Sequence, residues 1–193
     1  MRYFALATMA EGKPNEYCFT DRSPEGIGTR SYRLSDGVSF GADYPKNAAA
    51  VSLRLGDDYP GLKLASFIGN CGRLFIVDNR TSEIVLAQQV GNVEKFAFVL
   101  LDHKGRVYSR DYCFLNPLEH HQCMDEQRSD VLRTSKGTII RVQKLVLTKS
   151  RLPLLDLFRL AEQPSIYLLS ERLVQALRDN GCTNFVLDEV TVV

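Results

Sequence analysis

The chain has 193 residues, of which 45% are hydrophobic and 24% charged, and its formal net charge is +1. That length suits one large domain or two small, closely packed ones, and folding can hide roughly 70% of the unfolded surface without help from a metal or disulfide. The near-zero net charge gives no overall reason to expect nucleic acid or an anionic membrane as partner.

The five cysteines, Cys18, Cys71, Cys113, Cys123 and Cys182, are scattered, with no CxxC pair and no zinc-ligand spacing. They read as reduced thiols of a cytosolic protein. Residues Met1 to Ala10 carry a short apolar stretch that Tyr3 and Thr8 interrupt and Glu11-Gly12-Lys13-Pro14 closes. This reads as a first β-strand rather than a signal peptide, so the expected location is the cytoplasm. No run approaches the roughly eighteen apolar residues that a membrane-spanning helix requires.

Residues 11 to 62 are rich in Gly, Pro, Asp, Asn and Ser and read as loop, with short strands expected at Val38-Ser39-Phe40 and Val51 to Leu55. From Leu64 the periodicity sharpens into a better-defined core, 64–193, within a single domain spanning 1–193. Leu74 to Val77 is a short apolar strand, followed by several possible helix N-caps from Asp78 to Ser82 and a helix expected over Glu83 to Gln89, with strand as the alternative because of Ile84 and Val85. Val93 to Leu101 and Arg106 to Leu115 form a hairpin around Asp102-His103-Lys104-Gly105. Alternation places Tyr108, Arg110, Tyr112 and Phe114 on one face of its second strand. Asn116-Pro117-Leu118 is expected to break the pairing, because proline cannot donate to a ladder.

Glu119 to Cys123 reads as a short strand, Asp125 to Asp130 as a charged turn or a single helical turn, and Ile139 to Leu147 as a sheet strand. A strand over Ile166 to Leu169 then leads to a helix. Ser170 is its N-cap, Glu171 favours its first turn, Leu173 and Leu177 form its apolar stripe, and Gly181 ends it in the left-handed conformation. Leu74 to Leu101 and Ile166 to Val190 both run strand, Ser-Glu helix start, helix, strand, a faint internal echo.

His120, His121 and Cys123, with Asp125 nearby, are the one cluster of metal-type residues. On a strand His121 and Cys123 share a face while His120 points away, which is too few ligands for a zinc site. No nucleotide-binding or hydrolase motif is present. Charge is uneven: from Arg128 to Arg151 seven bases face one acid, Asp130. A basic surface of this kind suits a solvated strand edge or a charged protein partner, and it lacks the exposed aromatics that nucleic acid favours.

Asn116-Pro117-Leu118, Ser129-Asp130, the lysine-bearing run Ile140 to Leu147, Leu157-Phe158-Arg159-Leu160, and Ser170-Glu171-Arg172-Leu173 before Gly181 occur in an order that resembles a bacterial immunity-protein family. It is the eleventh numbered family of polymorphic-toxin immunity proteins. The resemblance is firm over about residues 106 to 190. It implies an α+β protein, mainly antiparallel, that binds and neutralises a cognate toxin in interbacterial competition, commonly one delivered by contact-dependent or type VI secretion. Such a protein acts by occlusion, with no enzymatic turnover and no cofactor. Its partner is the toxin domain rather than nucleic acid or membrane, and a nuclease, deaminase or nucleotide-degrading toxin fits a cytoplasmic protector. Alternative readings are a small enzyme using Cys123 and His121, and a nucleic-acid-binding regulator using residues 128 to 151.

Phe158 is expected in the core and Arg159 beside a neighbouring acid. For the partner-binding surface the charged turn and its basic continuation are the better choice: Asp125, Glu126, Arg128, Asp130, Arg133 and Lys136.

Overall fold

The computed structural model describes residues 2–193; Met1, the first residue of the expected N-terminal strand, lies outside them. The strands and helices, in chain order, are β1 Tyr3–Ala7, β2 Phe19–Thr20, α1 Tyr32–Asp36, β3 Ser52–Arg54, β4 Gly69–Asn70, β5 Phe75–Asp78, α2 Asn79–Leu86, β6 Val93–Leu101, β7 Val107–Pro117, β8 His120–His121, β9 Asp130–Arg133, β10 Ile139–Lys144, β11 Val146–Leu147, β12 Leu157–Leu160, β13 Gln163–Ser170, α3 Glu171–Asp179 and β14 Val186–Val192. They build an α+β fold. A six-stranded sheet runs β11-β14-β1-β13-β12-β8, a four-stranded sheet runs β3-β6-β7-β5, and β2-β4 and β10-β9 form two-stranded pairs.

The two halves of the molecule repeat one strand plan. In the C-terminal half β13 and β14 flank β1, antiparallel to both, and β11 lies parallel to β14. In the N-terminal half β5 and β6 flank β7 in the same way, and β3 lies parallel to β6. The correspondence continues outward. β12 is antiparallel to β13 and parallel to β8. The segment leading through β4 pairs antiparallel with β5 at Phe67 and Val77, and β4 is parallel to β2. Each half therefore carries a strand–helix–strand crossover with one antiparallel strand inserted in the gap. In one half that strand is β7, the next in sequence; in the other it comes from the N-terminus.

The sequence echo thus has a structural counterpart, but aligned differently. The helix caps are Asp78, accepting from Thr81 N at 2.6 Å, and Ser170, accepting from Leu173 N at 3.3 Å. Ser82-Glu83 lies inside α2, which starts four residues before the expected Glu83 because Asp78 already satisfies its first-turn donors. The expected cap, first-turn acid and apolar stripe of α3 are all present, and Gly181 follows it at φ 66°.

Helices α2 and α3 and one face of each large sheet share a central core of Phe4, Leu6, Phe75, Val77, Val85, Cys113, Leu115, Tyr167, Leu169, Leu173 and Leu177. Each sheet's outer face is then covered by one connecting segment, from β2 to β3 for the four-stranded sheet and from β8 to β11 for the six-stranded one. Over the four-stranded sheet that cover is residues 21–51, which bury Leu34, Phe40 and Tyr44 with Phe98, Tyr112 and Phe114. Over the six-stranded sheet it is residues 122–145, which pack beside Phe158, Leu160 and Leu168. The alternation along β7 is as expected, except that both faces are buried toward its C-terminal end.

Three strand expectations change. Val38 to Phe40 is not a strand: Gly37 turns the chain at φ 67°, and the Glu94 carboxylate takes the N–H groups of Phe40 and Gly41, leaving no ladder for them. Pairing of β7 runs on through Asn116 opposite Glu94 and Pro117 opposite Val93, so the break falls at Leu118. Ile139 to Leu147 splits into β10 and β11, because register shifts interrupt β10, which among the described residues pairs with β9 alone, whereas β11 pairs with β14.

Candidate functional site

The six residues chosen from sequence fall on one feature, the ribbon of β9 and β10 with the turn that enters it. The turn is built by Asp125. Its carboxylate accepts from the N–H groups of Gln127 and Arg128, each at 3.1 Å, while its own N–H donates to the Val146 carbonyl at 2.8 Å. Asp125 is thus mainly a folding residue, with the Arg128 guanidinium 3.8 Å away. Glu126 pairs with Arg133 at 3.0 Å, and Arg133 also donates to the Gly137 carbonyl at 3.0 Å, bracing the ribbon tip. Asp130 opens β9 opposite Lys144, and Lys136 stands exposed in the tip.

Sequence reasoning missed the other half of this surface. Leu132 pairs across the ribbon with Arg141, and Ile140 is the extra residue at the register shift between Ile139 and Arg141. Leu132 and Ile140 are 50% and 49% exposed, whereas Val131 and Ile139 are partly buried against the sheet. The signal available was the alternation of Val131 with Leu132, which on a ribbon packed by one face must leave one of them outside. Behind the ribbon, a groove of about 520 Å³ runs between Val142 to Leu145 and the sheet at Ala5, Ile166 and Val190, with Asp188 and Glu189 on its far side.

The motif residues Asn116 and Arg159 meet at a second place, deep in the fold. Arg159 is fully buried, and the expected acid is not its partner. Nε donates to the Pro117 carbonyl at 2.8 Å, Nη1 to Ser35 at 2.7 Å and Pro164 at 2.8 Å, and Nη2 to Leu34 at 2.7 Å and Asn116 Oδ1 at 3.0 Å. All five N–H groups of the fork are used. Two acceptors are carbonyls of the last turn of α1, which lack helical partners and carry its negative dipole end. The guanidinium carbon also lies 4.3 Å from the Tyr167 ring centroid. Gly37 is required here, since a Cβ would sit 2.5 Å from Arg159 Cδ.

Asn116 passes the network on by donating to Glu94 Oε2 at 3.0 Å. Burial would raise the Glu94 carboxyl, but hydrogen bonds from Ser39, Gly41, Phe40 and Asn116 hold it below its ordinary value. Phe158 is in the core as expected, fully buried. These motif positions fasten the N-terminal cover to both sheets; they hold the fold.

His120, His121 and Cys123 do not converge. His120 Nε2 lies 3.0 Å from the Asp36 carbonyl, while His121 packs edge-on against Phe158. Cys123 is fully buried, and desolvation pushes its thiol up to about 12, which leaves almost no thiolate near neutral pH. Among the described residues no group of three or more His, Cys, Asp or Glu side chains is placed to hold a metal ion.

The model of the Immunity protein family (Imm11) matches residues 66–192. The chain belongs to this family. The matched span contains the ribbon, Asn116, Arg159 and the strand–helix–strand unit around α3, and it leaves out β1 and the whole N-terminal cover. No curated protein matches the chain. Within the immunity family's span, then, one conspicuous group of residues is buried and structural, and the other is a basic, partly apolar ribbon on the surface. No helix among the described residues is long and apolar enough to cross a membrane.

Proposed function

We propose that this protein binds a cognate secreted bacterial toxin and neutralises it through a stoichiometric protein–protein complex, without enzymatic turnover. Membership of the immunity family over residues 66–192 carries this reading. The whole of 1–193 acts as one immunity-type domain, because β1 is the inserted strand between β13 and β14. Protection takes place in the cytoplasm. In support, the five cysteines are all free and Cys71 is exposed, a state suited to a reducing compartment. The partner-binding surface includes Asp125, Glu126, Arg128, Asp130, Arg133 and Lys136, with Asp125 shaping the turn and the others facing the partner.

The raised Cys123 thiol disfavours a Cys–His enzyme. The exposed apolar side chains on the ribbon are aliphatic rather than aromatic, which suits a protein surface better than stacked bases. The reading expects a neighbouring gene for a large secreted protein with a C-terminal toxin domain, and the test is co-expression with that domain. Cells that die when the domain is expressed alone grow when this protein is also present. Death in both cases refutes the reading.

A further inference from the structure

We propose that the solvent face of the β9–β10 ribbon, centred on Leu132, Ile140, Arg141 and Lys144, is the surface that seats the toxin, and that it binds an acidic patch with an apolar centre. The inference rests on the neutralisation reading and assigns its interface and the chemistry of the partner.

Folding explains only the inner face of the ribbon. Val131 and Ile139 pack toward the six-stranded sheet, so the opposite face could be wholly polar without loss to the core. Instead Leu132 and Ile140 stand about half exposed there. The other half of the molecule makes the comparison internal. Its cover, residues 21–51, occupies the same slot in the strand plan and buries Leu34, Phe40 and Tyr44 while leaving Tyr32 and Val38 exposed. The ribbon fills that slot with a two-stranded pair, β9–β10.

Charge selects the partner. Arg128 and Arg133 are answered by Asp125 and Glu126, but Lys136, Arg141 and Lys144 have no carboxylate within 4.0 Å among the described residues. From Arg128 to Lys144 the sequence has five bases and one acid, Asp130. Unanswered cations around two exposed aliphatic side chains suit a partner with carboxylates around an apolar spot. Such an arrangement steers encounter by charge and holds the complex by burying its centre.

The test uses the purified toxin domain from the co-expression experiment and calorimetric titration of the full-length protein. Paired substitutions Leu132→Ser with Ile140→Ser, and separately Arg141→Glu with Lys144→Glu, each weaken binding by about 30-fold or more, the scale of losing an interface hot spot. Leu62→Ser, an equally exposed leucine of the other half, leaves binding within about 2-fold. Wild-type affinity falls as salt rises from about 0.05 to about 0.5 M, and the charge-reversed protein loses that dependence. Melting curves confirm that the variants stay folded, as substitutions of solvent-facing side chains should. If both ribbon pairs bind like wild type, or if affinity ignores salt, the surface is elsewhere. If wild type itself neither binds nor protects, the neutralisation reading falls and takes this interface with it. Tight, salt-sensitive binding to a DNA duplex without binding to the toxin domain would also overturn it.

Discussion

Replacing Arg159 by methionine removes five donors from the interior and takes them from the carbonyls of Ser35, Pro117 and Pro164 and the Asn116 amide oxygen, while the Leu34 carbonyl keeps the Tyr167 hydroxyl at 3.4 Å. Each buried neutral acceptor left without a partner costs about 1 kcal/mol or more, so four of them give a gross loss of about 4–5 kcal/mol. Part is returned because a charge no longer has to be held away from water and methionine fills the space. The net destabilisation is about 3–4 kcal/mol, against a total stability on the order of 5–15 kcal/mol. Lysine offers three donors from one point and reaches at most three of the five acceptors, so Arg159→Lys costs about 2 kcal/mol. Urea denaturation followed by circular dichroism reads these losses. With a slope of about 2–3 kcal/mol per molar, the methionine variant's midpoint falls by about 1.5 M. Because the acceptors are carbonyls and an amide, the loss is the same at about pH 5 and about pH 8, unlike that of an ion pair. A methionine variant within about 1 kcal/mol of wild type, or a lysine variant equal to it, would refute the reasoning.

Asp156 is fully buried and bonded to Ser170 Oγ, Gln89 N and the Arg172 guanidinium. Burial alone would raise its carboxyl, but these partners, Arg172 first, hold it below its ordinary value. A carboxyl lowered on folding adds stability above its unfolded value near 4, and that stability is lost as pH falls through the folded value. Asp156→Asn should therefore melt well below wild type at about pH 6, with the gap closing toward about pH 3; a gap constant with pH would contradict this. A chain beginning at residue 64 lacks β1 and should not fold, since Phe4 and Leu6 leave the central core and β13 and β14 lose the strand between them. A cooperative melt of that shortened chain would show that the two parts are separable.

Much of the C-terminal half was legible because its determinants are local. Ser170, Leu173, Leu177 and Gly181 specify a cap, a stripe and a stop within twelve residues, and periodicity finds such elements. The N-terminal half was less so, because what orders residues 21–51 is distant: Glu94 holds the backbone at Phe40, and Arg159 holds the end of α1. Arg159 was misassigned for a related reason. A buried arginine suggests a carboxylate, whereas here main-chain carbonyls from several loops converge on it, and carbonyls leave no mark in a sequence. The repeated strand plan was nearly invisible, since one of its strands sits at the opposite end of the chain. On the candidate surface the charges could be read directly. The exposure of Leu132 and Ile140 could not, because an apolar residue on a strand ordinarily faces a core, and only the lone pairing of β9 with β10 turns these two outward.

The central claim is neutralisation by stoichiometric binding, and titration of the toxin domain's activity against increasing amounts of this protein tests it most directly. The account predicts that activity falls linearly and disappears at about one equivalent, with the inhibited toxin recovered intact in the complex. Complete inactivation at a small fraction of an equivalent would mean turnover, and activity unaffected at several equivalents would mean that the toxin is not its partner.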